Sequence, residues 1–111
     1  MTIAALKSDF WVSALLRRAQ QGGAFAAIVK KGDAEAGACL VTIRLLDGTA
    51  CLYRPVRDSE GARVWWPKGP APEREIDLYI NNRVDDDPDL WVIEIEDRAG
   101  RHFLTEPVET P

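Results

Sequence analysis

The residues that invite a chemical reading gather in one stretch, Asp85-Asp86-Asp87-Pro88-Asp89 followed by Glu94-Ile95-Glu96. The stretch can be tested against the PD…ExK pattern of metal-dependent nucleases. There, carboxylates hold a divalent ion and a lysine positions the attacking water. Here Glu96 stands in the lysine position. Asp89 and Glu94 fall on one expected strand, five residues apart, so their side chains point to opposite faces and cannot share an ion. A calcium loop needs alternating ligands, a central glycine and a distant glutamate. These are missing, and a solvated acidic turn is the simpler reading.

The other reactive side chains fare no better. Nucleophilic catalysis needs a base beside Ser, Cys or Thr. His102 is the only histidine, and its expected neighbour is Glu96, in a cross-strand pair at the surface. A zinc site would have to draw on His102, Cys39 and Cys51. If Asp47-Gly48 closes a two-residue hairpin, Leu46 faces Thr49 and Cys51 faces Arg44. Cys39 then lies five residues further along and on the opposite face, about 17 Å away at strand rise. A disulfide needs Cα atoms within about 7 Å, so two reduced thiols serving as small apolar fillers are expected. The turn from Lys31 to Gly37 is glycine-rich but lacks the GxxxxGK[ST] spacing, and no helix pattern follows it. Arg63-Val64-Trp65-Trp66-Pro67-Lys68 is the one run that interleaves bases with aromatics as a nucleic-acid stacking platform would. The sequence therefore assigns no catalytic, cofactor-binding or metal-ligating residue and implies no cofactor.

Composition sets wider bounds. The chain has 111 residues, which suits one domain over 1–111. At 46% hydrophobic, with four tryptophans, it can build a core without staples. The formal charge of -4 disfavours nucleic acid as a partner. No apolar run approaches the roughly 20 residues of a membrane span. The opening Met1-Thr2-Ile3-Ala4-Ala5-Leu6-Lys7 lacks the basic start and apolar block of a secretory signal, so a cytoplasmic location is expected.

The elements that would position any site follow from periodicity. Ser8 is read as the N-cap of a helix running to about Gln21, with Gly22-Gly23 as its stop. Trp11, Val12, Leu15, Leu16 and Ala19 form its apolar face. Ala24 to Val29 reads as a buried strand. Cys39–Leu46 and Thr49–Val56 form a hairpin about Asp47-Gly48, with Cys39, Val41, Ile43 and Leu45 on the same face as Ala50 and Leu52. Ala62–Trp66 is a fourth strand, stopped by Pro67. A second helix begins at about Pro72 and ends near Arg83, with Ile76, Tyr79, Ile80 and Val84 as its stripe. Trp91, Ile93 and Ile95 give the strongest strand signal and should pack on the Trp11 stripe, with Glu94 and Glu96 at the solvated end of the other face. Arg98-Ala99-Gly100 reads as a hairpin loop to a sixth strand, pairing Ile95 with Phe103, and residues 105–111 as a frayed tail. The order α-β-β-β-β-α-β-β predicts an α+β fold, with a mainly antiparallel sheet of about six strands and two helices.

Four segments carry a resemblance. They are Lys7-Ser8-Asp9-Phe10-Trp11-Val12-Ser13-Ala14-Leu15-Leu16-Arg17-Arg18, Lys31-Gly32-Asp33 with Ala36-Gly37-Ala38, Leu46-Asp47-Gly48, and Asp87-Pro88-Asp89-Leu90-Trp91-Val92-Ile93-Glu94. In this order they are similar to a bacterial family, the domain of unknown function 1491 family. The resemblance implies a small cytosolic bacterial protein without an assigned activity, and it transfers no catalytic residue.

One feature points to a function. In Trp65-Trp66 the two indoles must face opposite sides of a strand. An outward tryptophan beside Pro67 and Tyr53 would form an apolar patch of the kind found at interfaces. The expectation is a non-catalytic protein-interaction module whose patch is Tyr53, Trp65, Trp66 and Pro67, engaging a protein partner or a second copy. The alternative is an enzyme or small-ligand-binding protein with an unfamiliar site, which would need a concave pocket with convergent polar groups.

Overall fold

The computed structural model describes residues 7–110. Helix α1 (Ser8–Gln21) is followed by strands β1 (Phe25–Lys30), β2 (Cys39–Arg44), β3 (Thr49–Arg57) and β4 (Arg63–Pro72), then helix α2 (Glu73–Asp86) and strand β5 (Trp91–Glu96). The five strands form one sheet in the order β1-β5-β2-β3-β4. Pairing is antiparallel except between β2 and β5, which run parallel with Cys39 opposite Trp91 and Arg44 opposite Glu96. The α+β class holds; the sheet is mixed and has five strands.

Each face of the sheet carries one helix because both faces are apolar. Trp91, Ile93 and Ile95 share a core with Trp11, Val12 and Leu15 of α1, as the alternating pattern predicts. On the other face, Ile76 and Ile80 of α2 pack with Leu40, Ala50, Leu52, Leu90 and Val92. Gly22 and Gly23 end α1 as expected, their N–H groups donating to the carbonyls of Arg18 and Gln20.

The missing sixth strand has a topological cause. Strand β5 is flanked by β1 on one side and β2 on the other, so neither of its edges is open to residues 101–105. Gly100 does adopt positive φ (73°), but the chain then turns away. The backbone N–H of Arg101 and its guanidinium both donate to Asp97, and Phe103 and Leu104 pack against the α1 core. Glu96 lies opposite Arg44 and Phe25, and His102 packs edge-on against Tyr53.

Three further expectations are corrected. The β2–β3 loop is three residues, Leu46-Asp47-Gly48, with Leu46 (φ 62°) and Gly48 (φ 90°) both left-handed. Arg44 therefore pairs with Ala50 and Ile43 with Cys51. This one-residue slip moves Ala50 and Leu52 to the α2 face, and Tyr53 to the α1 face. Strand β4, which contains a cis Gly69-Pro70 bond, runs through Pro67 and Pro70 to Pro72; an edge strand tolerates these prolines because no neighbouring strand of the sheet pairs with its outer row of N–H groups. Strand β1 is the opposite edge, and Phe25, Ile28 and Val29 are exposed rather than buried. At the end of the chain, the N–H of Trp65 donates to the Pro107 carbonyl, and the N–H of Glu109 to the Trp65 carbonyl.

Candidate functional site

Three of the four segments named above as family-like meet in space, while Leu46-Asp47-Gly48 lies beyond the far end of β2. Asp33 N–H donates to the Asp89 carbonyl (2.9 Å), the Trp91 indole N–H to the Asp33 carbonyl (2.7 Å), and Trp91 N–H to the Ala38 carbonyl (2.8 Å). The Ser8 hydroxyl donates to the Gly37 carbonyl at 2.6 Å, so Ser8 is not the side-chain cap expected of it. The N–H groups of Ser8 and Asp9 donate to the carbonyls of Glu35 and Ala34. A Cβ on Gly32 or Gly37 would lie 2.2 or 2.3 Å from the Asp89 carbonyl oxygen. The glycine-rich turn is thus a close-packed saddle tying the start of α1 to β5. Because its carbonyls occupy the first N–H groups of the helix, an anion has little to bind there.

The acidic stretch divides in a similar way. Asp85 and Asp86 end α2, and Asp87 and Asp89 lie in the turn before β5. Glu94 is not solvated as expected but joins Glu73 and Asp77 around the guanidinium of Arg44. Burial opposes the charge on Arg44, yet the hydrogen bonds it donates to Asp77 and Glu94 outweigh it and hold the guanidinium's pKa above its ordinary value. Among the described residues no group of three His, Cys, Asp or Glu side chains is arranged to hold a metal ion. No described helix is long and apolar enough to cross a membrane.

Both cysteines are free. They share the α1 face, contrary to the expected register. Cys39 is nevertheless four residues from Ile43, the partner of Cys51, about 13 Å at strand rise. Burial pushes the Cys39 thiol up to about 11, which makes it a poor nucleophile and a poor metal ligand.

The indole pair is split as alternation requires. Trp65 is fully buried, stacked on Trp11 with ring centroids 5.4 Å apart. Both indole N–H groups donate to the Glu106 carboxylate, at 3.0 and 3.1 Å. This pairing escaped the sequence reading because nothing local marks Glu106. Tyr53 and its strand partner Pro67 lie on the Trp65 side, where Tyr53 packs with His102. Trp66 alone turns to the α2 side, opposite Arg54. The four patch residues therefore do not form one surface.

Trp66 instead lines a cleft of about 290 Å³ between β3–β4 and α2, with Arg54, Tyr79 and Arg83. The Arg54 guanidinium carbon is 5.8 Å from the Tyr79 ring centroid, and the Lys68 ammonium is 5.5 Å from the same centroid. Arg54 Nε is buried and has no hydrogen-bond partner among the described residues. Among the described residues, Arg54, Lys68 and Arg83 form no ion pair, although Asp87 also lines the cleft. Free guanidinium groups between an indole and a phenol can bind a carboxylate bidentately and hold a flat group against the rings. Tyr79 and Arg83 sit four residues apart on α2, a spacing that places both over β3 and β4.

Fold and cleft define a small α+β protein with a helix on each face of a mixed five-stranded sheet and a basic, aromatic cleft beside the second helix. Residues 6–105 match the family described as Protein of unknown function (DUF1491), and the chain belongs to that family. The crystal structure of a DUF1491 family protein from Caulobacter crescentus CB15 is similar at 50% identity and a TM-score of 0.88, over 95% of this chain and 100% of that one. An NMR structure of a DUF1491 family protein from the same organism is similar at 48% identity and a TM-score of 0.86, over 97% and 100%. The solution structure of protein Atu0922 from A. tumefaciens is similar at 36% identity and a TM-score of 0.81, over 96% and 98%. No curated protein matches the chain.

Proposed function

We propose that the protein is a non-catalytic interaction module that takes an acidic segment of a partner protein into the cleft formed by Arg54, Trp66, Tyr79 and Arg83. The observation that carries this reading is the pair of arginines lining one cleft with no carboxylate among the described residues paired to either. In a chain with a formal charge of -4, unpaired cations grouped around aromatic rings favour an acidic partner at that place. Trp66 supplies the flat anchor that interface hot spots favour. The protein acts by holding its partner, and the proposed setting is the cytoplasm.

The test places a photo-crosslinking amino acid at Trp66 or at Leu78, which is exposed on α2, and expresses each variant in the native host. The expected result is a discrete adduct from position 66 that is lost on Arg54→Glu or Arg83→Glu and is absent from position 78. The same smear from both positions would refute the reading.

A further inference from the structure

A second cavity, of about 270 Å³, lies on the other flank of α2, over β1, β5 and β2. Its apolar floor includes Ile80 and Val92, and its polar wall is Thr42, Arg44, Asp77, Asn81 and Glu94. Two independent observations mark it. First, Thr42 is 1% exposed, and its hydroxyl has no hydrogen-bond partner among the described residues. Buried hydroxyls are normally satisfied, and this one lines the cavity. Second, each nitrogen of the Arg44 guanidinium donates to a different carboxylate: Nε to Glu94, one terminal nitrogen to Glu73 at 3.2 Å, and the other to Asp77 at 2.9 Å. Arg44 therefore has little left with which to receive an anion. Three carboxylates around one guanidinium leave two negative charges in excess.

The wall consequently offers acceptors and a negative field above an apolar floor. That combination selects a cation with an alkyl body and N–H donors. An inorganic divalent ion fits poorly, because among the described residues no group of three His, Cys, Asp or Glu side chains is arranged to hold one. We infer that this cavity binds a small primary alkylammonium, with its N–H groups directed to Glu94, Asp77 and the Thr42 hydroxyl and its carbon chain on Val92 and Ile80. The inference does not depend on the arginine cleft. The two sites lie on opposite flanks of α2 and call for ligands of opposite charge.

The experiment is a titration of the isotope-labelled protein with n-butylammonium chloride at fixed ionic strength, read as amide shifts in 1H–15N spectra. Tetramethylammonium, which has the charge but no donor, serves as the control. Saturating shifts are expected at Thr42, Asn81, Val92 and Glu94. Thr42→Val keeps the shape and removes the hydroxyl, and it should weaken binding roughly tenfold, as for the loss of one hydrogen bond to a charged group. Asp77 is about half exposed, so Asp77→Asn offers a second variant that perturbs folding little and should also weaken binding. The inference is overturned by shifts that do not saturate, by equal shifts from tetramethylammonium, or by shifts centred on Asp85–Asp87. It is overturned too by unchanged affinity in both variants.

Discussion

Glu106 offers the most direct test of how the end of the chain is held. Its carboxylate accepts from the indole N–H groups of Trp11 and Trp65, at 3.1 and 3.0 Å. Both rings are buried, at 6% and 0% exposure. Glu106→Ala leaves two buried donors without an acceptor. A hydrogen bond to a charged group contributes about 1.5–3 kcal/mol. The carboxylate is itself only part-buried, so the low end applies to each bond and the expected loss is about 3 kcal/mol. Glu106→Gln retains one acceptor oxygen and should lose about half as much. The same contacts predict a pH dependence. Burial tends to raise the Glu106 pKa, but the two indole bonds and Arg63 outweigh it and hold the carboxyl below its ordinary value near 4.5. A depressed folded pKa means the stabilisation is fully present above that ordinary value and is lost as pH falls through the folded one. Urea unfolding followed by tryptophan fluorescence at pH 7, and at steps from pH 5 to about pH 3, reads both effects. The parent should lose stability on acidification more steeply than Glu106→Ala. If Glu106→Ala lies within about 0.5 kcal/mol of the parent at pH 7, the tail is not held as described.

Three other outcomes can be checked on the same material. Trp91 is 2% exposed and its indole N–H is bonded to the Asp33 carbonyl, so Trp91→Ala should cost about 3–5 kcal/mol in chemical unfolding or give an insoluble product. Gly37→Ala should destabilise clearly, because its Cβ would sit 2.3 Å from the Asp89 carbonyl oxygen; an unchanged melting temperature would mean the saddle is looser than it looks. Iodoacetamide at pH 8 should modify the half-buried Cys51 well before Cys39, whose thiol is buried and pushed up to about 11, with mass spectrometry of short time points giving the order.

Periodicity in the sequence was enough to place both helices and the principal strands, and to predict that the Trp91–Ile95 face meets the Trp11–Leu15 stripe. Burial on one side of an element leaves a repeat of 3.6 or 2 that a reader can count. The positive-φ glycines at positions 48 and 100 were equally legible, because turn backbone conformations demand them locally. Which face each residue of β3 joins was not legible. Both faces of this sheet are buried, so the pattern of Ala50, Leu52 and Tyr53 suits either register, and a left-handed Leu46 decided between them. The sixth strand failed for a related reason. Whether residues 101–105 can pair depends on which edges are free, and β1 and β2 had already occupied both sides of β5. Strand β4 could pass through two prolines only because it came to lie at an edge, a position that no local signal encodes. The cleft and the cavity are likewise products of long-range packing. Arg54 and Trp66 come from neighbouring strands and Tyr79 and Arg83 from the helix that crosses them, while Thr42 and Arg44 meet Glu94 only through the parallel pairing of β2 with β5. The amino-acid types at these positions can be read one by one, but their convergence is set by strand order and helix placement.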